Sequence, residues 1–299
     1  MIVERLRALS RRAAVVAFST TSSQLAPKFS GAPLATAGLI FGAANAAGFG
    51  ISVATGWHYH LDLIGTGIFS AAALALCGQS GDLRQNASAA CISIWAIKLA
   101  AFLFYRVLQT RHDARLDDQL ATPQGAFGFW FVSFAWGWLV FLPHSLAAGV
   151  PAVLRPPFGA LDWLGLVCFA TGLALESLAD WQKWRFKQDP ESRGKFCNVG
   201  VWQLSQHPNW CGNFVAWTGI LLLNSPSLAS AGLGYLAAAC ISPAFLLALF
   251  YGQATGSITN TVQLAKSRHG ADPAYEEYLQ QTPLVLPTPG SLFRSIASS

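Results

Sequence analysis

Apolar residues gather along this chain into long unbroken stretches separated by short polar segments. Roughly 20 consecutive apolar residues carry a helix across about 30 Å of hydrocarbon. Seven stretches read as spans: Pro33 to Thr55, Leu61 to Cys77, Ser88 to Val107, Phe127 to Val150, Ala160 to Ala179, Phe214 to Leu223 and Leu228 to Tyr251. The sixth is too short to cross by itself. In lipid every backbone donor and acceptor must be satisfied within the chain, which leaves helices and closed barrels, and a barrel strand alternates polar and apolar residues. These stretches are continuous. The pattern therefore predicts an all-α, polytopic integral membrane helical bundle of about seven transmembrane helices. Gly38, Gly42, Ala43, Gly48 and Gly50 in the first span allow close approach of neighbouring helix backbones.

Composition sharpens this, because only 11% of the 299 residues are charged, against about 25% in a soluble domain. A water-facing surface cannot be built from so few charges. The net charge of +5 does not call for nucleic acid, since its distribution follows membrane topology. With seven spans, the connections on the side of the amino terminus carry only Arg84 and Arg155. The other side collects Arg111, Arg115, Lys183, Arg185, Lys187, Arg193, Lys195, Lys266, Arg268 and Arg294. The positive-inside rule turns that side toward cytosol or matrix.

Residues 2 to 16 set Ile2, Leu6, Leu9, Ala13 and Val16 on one helical face with Arg7 and Arg11 opposite, and run into Ser19, Thr20, Thr21, Ser22 and Ser23. This is the composition of an organelle transit segment, so residues 1–30 are read as a transit segment and 31–299 as a single membrane domain. The mitochondrial inner membrane is the preferred address, with plastid and endoplasmic reticulum left open. The six cysteines show no CxxC spacing and read as small buried side chains. His58 and His60 lack the further ligands of a metal site and read as interfacial. No metal is expected.

A charge inside a bilayer costs about 2.5 to 3.5 kcal/mol on insertion scales and needs a partner or a role. Lys98 in the third span either snorkels or pairs with an acid such as Glu176. Glu176, Asp180 and Lys183 share a helix face at spacings of four and three, as a helix does on leaving lipid for a polar cavity. The stretch from Gly194 to Asn213 is polar, punctuated by glycine and rich in donors, and its His207, Pro208 and Asn209 make a turn that can present side chains to a ligand.

At this stretch the sequence resembles the steroid 5α-reductase-like family of membrane reductases, in the DUF1295 branch, whose members carry a pattern like "GLW..SRHPNYFGE". Further motifs that resemble the family's are Asp62, Gly65 and Thr66; Lys98 and Arg106 with Asp113 and Arg115; Glu176, Asp180, Gln182, Phe186 and Lys187; and the closing Tyr275, Tyr278, Thr282 and Pro287. The resemblance runs from about Asp62 to Pro289. It implies a seven-helix bundle that holds NADP(H) in its later part, at about 160–290, and reduces an apolar, lipid-like enone entering from the membrane. Carried onto this chain it makes His207 and Glu176 the catalytic candidates. It makes Asp180, Lys187, Arg193, Lys195, Trp202, Ser205, His207, Asn209, Trp210 and Tyr278 the cofactor-binding candidates.

The sequence departs from the family pattern at four positions. Gln206 stands for arginine, Asn213 for glutamate, Trp210 for tyrosine and Lys98 for the common arginine. Glutamine offers neither the charge nor the planar fork that grips phosphate. Two alternatives therefore stand beside the reductase: a catalytically silent structural or lipid-binding subunit of an organelle membrane complex, and an S-adenosylmethionine-dependent membrane methyltransferase, since isoprenylcysteine carboxyl methyltransferases carry a similar histidine-proline element. Membrane lipids are partners in each reading, and nucleic acid in none.

Overall fold

The computed structural model describes residues 28–80, 82–110, 120–258 and 261–297. The transit segment read at the amino terminus, and Arg111, Asp113 and Arg115, fall outside them. All regular elements among the described residues are helices, with no strand. The elements that build the bundle are α1 (Ala32–Thr55), α2 (Leu61–Ser80), α3 (Leu83–Thr110), α4 (Pro123–Val140), α5 (Leu142–Ala148), α6 (Ala160–Gln188), α7 (Pro208–Ala231), α8 (Leu233–Ala239) and α9 (Ile241–Ala254). Three short helices follow: α10 (Thr261–His269), α11 (Pro273–Gln281) and α12 (Pro289–Ala297).

Five helical stretches are long and apolar enough to cross a membrane, α8 and α9 together counting as one, and six if the bent pair α4 and α5 is a span. The apolar part of α2, Leu61–Cys77, is shorter. The helices run past the predicted carboxyl-terminal bounds, with Leu83–Thr110 for the third span, Ala160–Gln188 for the fifth and Leu233–Ala254 for the seventh, and the fourth and sixth differ more. The stretch from Phe127 to Val150 bends by 53° between α4 and α5. Pro143, in the first turn of α5, has no N–H to continue the α4 ladder. The short sixth stretch is instead a helix of 24 residues, because Asn213 and Asn224, which interrupt its apolar run, are buried inside the bundle rather than set against lipid.

α6 and α7 pack along a seam of four glycines. Gly165 and Gly172 on α6 face Gly219 and Gly212 on α7, an antiparallel register with a seven-residue repeat on each helix. A Cβ on Gly172 would lie 2.3 Å from Ala216 N, and one on Gly212 would lie 2.4 Å from Glu176 N. Only a residue without a side chain permits that approach, which membrane helices use because dispersion contact, not the hydrophobic effect, holds them together. At the centre of the bundle Phe69 of α2 meets Phe41, Trp95, Trp136 and Trp217 with ring centroids 4.8 to 5.4 Å apart.

The two ends of the bundle differ in chemistry. At the end where Ser30 N–H donates to Gly149 O, Arg84 makes a bidentate pair with Asp162, at 2.5 and 3.0 Å, with both side chains buried. The remaining guanidinium donors go to Pro156 O, Pro157 O and Ser227 Oγ. Arg155 pairs with Asp82 and donates to Val150 O. Both arginines of this end are thus taken up in structure. The other end is the basic face, which carries Lys183, Arg185, Lys187, Arg193 and Lys195.

Candidate functional site

Two layers make up the site. The deeper one lies between α3, α6 and α7, where Lys98 Nζ is 2.7 Å from Glu176 Oε2. The carboxylate is 4% exposed and the amine 27%. Pairing, rather than snorkelling alone, is how the third span accommodates its lysine. The second carboxylate oxygen, Glu176 Oε1, accepts from Asn213 Nδ2 at 2.9 Å and stands 3.4 Å from Trp95 Nε1. Each oxygen of this buried acid therefore has a donor, the condition on which a charge persists at low dielectric. Asp180, one turn on, is close enough to Glu176, Lys98, Arg106 and Lys183 to feel each charge. Arg106 reaches Asp62 Oδ2 at 4.0 Å. The deeper layer thus mixes acids and bases in a span that is otherwise apolar.

The outer layer is a cap on the basic face, built from residues 189–207 and the tail after α10. Gly200 turns the chain at φ +54°, and a Cβ there would lie 2.3 Å from Gln182 Nε2. That left-handed conformation favours glycine. Gln182 Oε1 then accepts from Val201 N–H at 3.0 Å. Trp202 is buried, donates Nε1 to Ala179 O at 3.0 Å, and carries Lys183 Nζ 4.0 Å from its ring centroid. Tyr278 donates its hydroxyl to Trp202 O at 2.8 Å. Burial raises this phenol above its ordinary value, so it stays a neutral donor. Ser205 Oγ donates to Val285 O at 2.7 Å, and Val285, fully buried between Leu284 and Leu286, plugs the tail into the main core.

At the junction of the two layers His207 precedes α7. Its ring stacks on Trp210 at 3.9 Å and 11°, and Trp210 stacks on Phe250 at 5.5 Å and 8°. The three nearly parallel planes run from the cap into the bundle. Burial, with Lys183 nearby, lowers the His207 imidazole to about 3, so the ring is neutral at neutral pH. That fits a flat surface or a hydrogen-bond acceptor better than a proton donor.

A group that protonates in the unfolded chain near pH 6.5 but resists protonation when folded withdraws stability as pH falls from 6.5 toward 3. We expect the thermal midpoint of the wild type to drop between pH 7 and pH 5, by at most about 1.4 kcal/mol of stability per pH unit from this residue. His207→Phe, which keeps the stack, is expected to remove that share of the slope. An unchanged slope in this variant would count against the buried neutral ring.

The structure brings Glu176, Asp180, Trp202, Ser205, His207, Trp210 and Tyr278 into this region, together with Asn209 in the first turn of α7. Lys187, Arg193 and Lys195 are exposed on the basic face around the short 3-10 turn Pro190–Ser192 and do not converge on the stack. The departures from the reductase pattern have local explanations. Gln206 donates both N–H groups of its amide to the tail, to Leu279 O at 3.1 Å and Thr282 O at 2.6 Å, and its backbone N–H to Pro283 O. It is a clasp between the cap and the tail. Asn213 donates to Glu176, where a glutamate would set a second carboxylate against the first. Trp95 and Phe250 were not anticipated. Trp95 lies three residues before Lys98 and so on its helix face, a readable signal; nothing in the sequence points to Phe250. Among the described residues no three His, Cys, Asp or Glu side chains group to hold a metal ion.

A family model described as "Protein of unknown function (DUF1295)" matches residues 48–282, which include the Lys98–Glu176 pair, His207 and Tyr278. The chain belongs to the DUF1295 family. Among curated proteins this DUF1295 member is similar to "Uncharacterized protein C594.04c" of Schizosaccharomyces pombe (strain 972 / ATCC 24843), 33% identical over 86 residues, 23% of this chain. The match covers a quarter of that relative's length. No solved structure matches this DUF1295 chain.

Proposed function

We propose that this DUF1295 protein is a membrane-embedded, NADPH-dependent reductase of a lipid-soluble enone of steroid, isoprenoid or fatty-acyl type. The observation that carries the reading is the continuity of the two layers. A stack of flat rings, His207, Trp210 and Phe250, stands at the start of α7, and the same helix carries Asn213, which donates to a buried acid paired with an amine. The resemblance of the motifs to the steroid 5α-reductase-like family supports it. The residues suit the cofactor: flat rings for a nicotinamide, and Lys187, Arg193 and Lys195 on the same face for phosphates. NADPH supplies a hydride when bound. Lys187, Arg193 and Lys195 hold its charge at the surface, and the His207 and Trp210 planes orient a ring beneath the cap. Lys98, oriented by the Glu176 carboxylate, holds at Nζ the proton that completes saturation of a carbon double bond. The seventh crossing that this family resemblance implies is α2, with its shorter apolar stretch. The basic arginines before residue 28 and the basic face support a mitochondrial inner membrane address, with that face toward the matrix.

A second reading has its own observation. Gln206 is engaged with the tail, and the aromatic cluster around Phe69 fills the bundle centre, as suits a silent subunit that keeps the fold for lipid or protein contacts. Ligand retention separates the readings. The detergent-purified full chain is titrated with NADPH and with S-adenosylmethionine, following cofactor fluorescence for the first and equilibrium dialysis for the second. The reductase reading expects micromolar NADPH binding and no S-adenosylmethionine binding. S-adenosylmethionine alone would make the protein a methyltransferase, and binding of neither would favour the silent subunit.

A further inference from the structure

Seven buried side-chain N or O atoms have no hydrogen-bond partner among the described residues, and four of them sit on α7: Asn209 Oδ1, Asn213 Oδ1, Trp217 Nε1 and Asn224 Oδ1. The first three recur every fourth residue, so they rise along one side of the helix by about 6 Å per step. Asn213 is 5% exposed and Trp217 2%. A buried polar atom left bare costs roughly 1 to 3 kcal/mol, and the usual partner for such an atom inside a protein is a bound water with two to four hydrogen bonds. A water making bonds of about 2.8 Å on either side bridges about 6 Å, one step of this ladder. The donor and acceptor types also match. One water accepts from the Trp217 indole N–H and donates to Asn213 Oδ1, and a second donates to both Asn213 Oδ1 and Asn209 Oδ1.

We propose that the Asn209, Asn213 and Trp217 side of α7 carries a file of bound water from the basic face down to the Lys98–Glu176 pair. Its upper end is the first turn of α7, beside His207. Its lower end adjoins Glu176, to which Asn213 donates, and Trp95, whose ring centroid is 5.1 Å from that of Trp217. Ile220 and Leu223 of α7 are fully buried apolar side chains, and the next bare polar atom, Asn224 Oδ1, lies two turns below Trp217. The file gives an acid buried within the membrane proton exchange with the basic face. It stands on α7 alone and does not depend on the reductase reading.

Indole hydrogen exchange tests this. The full chain is labelled with ¹⁵N-tryptophan, purified in detergent and transferred to D₂O, and the Trp217 signal is assigned by its loss in Trp217→Phe. The expected result is exchange of the Trp217 indole N–H at least tenfold faster than the backbone amides of Ala216 to Ile220. Asn209→Leu, which closes the upper end without touching Glu176, is expected to slow it at least tenfold. Wild-type exchange as slow as those amides overturns the file, and that measurement decides even if the variant fails to fold. Fast exchange that a folded Asn209→Leu leaves unchanged overturns it too, since water would then arrive by another route.

Discussion

Replacing Lys98 by leucine is expected to cost about 3 kcal/mol and to lower the thermal midpoint in detergent by roughly 6 to 12 °C. The loss is not that of a favourable ion pair, since a buried pair gains little over apolar residues of the same size. It comes from what the variant leaves behind. Glu176 is 4% exposed, its Oε2 faces the amine at 2.7 Å, and the Asn213 and Trp95 donors both lie on Oε1. Without the lysine, one carboxylate oxygen is stranded in a low-dielectric interior. Adding Glu176→Gln removes the charge and keeps an acceptor for Asn213 and Trp95, so the double variant Lys98→Leu with Glu176→Gln should recover most of the midpoint. A single variant as stable as wild type, or a double variant no better than the single, would show that the pair carries no such constraint.

The largest structural effect is expected at the glycine seam. Gly172→Val places branched carbon where a Cβ alone would stand 2.3 Å from Ala216 N and 2.5 Å from Gly212 O. These are backbone atoms and cannot rotate aside, so α6 and α7 must separate along their length. Overpacking costs typically 1 to 3 kcal/mol. Here it also displaces Gly212 and, with it, the Asn213 donor to Glu176, so a loss of about 3 kcal/mol or more is expected, with little folded protein recovered. Gly234→Ala is the control. Nothing lies within 4 Å of a Cβ there, and α8 should accept it within about 0.5 kcal/mol. Equal yields of the two variants, by size-exclusion chromatography after detergent extraction, would refute the seam.

The helical membrane bundle was legible because a lipid-facing helix must be apolar along its whole length, and that is a one-dimensional signal. The same signal misjudges a helix whose polar residues face inward. Hydropathy shows the middle of α7 from Phe214 to Leu223 and gives its end, Leu228 to Ala231, to the next stretch, since it cannot tell Asn213 and Asn224 on a buried face from the same residues in a loop. The bend at Pro143 is readable only in part, since proline withholds an N–H from the ladder at any position, yet Pro226 lies inside α7 without ending it. The seam is also readable in part: Gly165 and Gly172, and Gly212 and Gly219, stand seven apart in the sequence, but which helices they join is a fact of three dimensions.

At the site, pairing with Glu176 is one of the two readings the sequence allows for Lys98, beside snorkelling, and the structure selects it. The meaning of Gln206 is not legible in the sequence. Read against a family pattern it is a lost phosphate ligand, whereas in the fold its amide clasps the tail at Leu279 and Thr282. Restoring the family's glutamate at position 213 would likewise set two carboxylates together at Glu176, so the pattern's residues cannot simply be put back.

The most direct test of the proposed reductase is a titration of the purified full chain with NADPH, beside a variant in which Lys187, Arg193 and Lys195 are all glutamine. These side chains are exposed, so the fold should survive their loss. Charge-assisted hydrogen bonds contribute about 1.5 to 3 kcal/mol each, so losing even two weakens binding by two or more orders of magnitude. Micromolar binding by the wild type that falls at least a hundredfold in the variant is the predicted result. A folded wild type that binds no NADPH, or binds it as tightly without the three cations, would contradict the account.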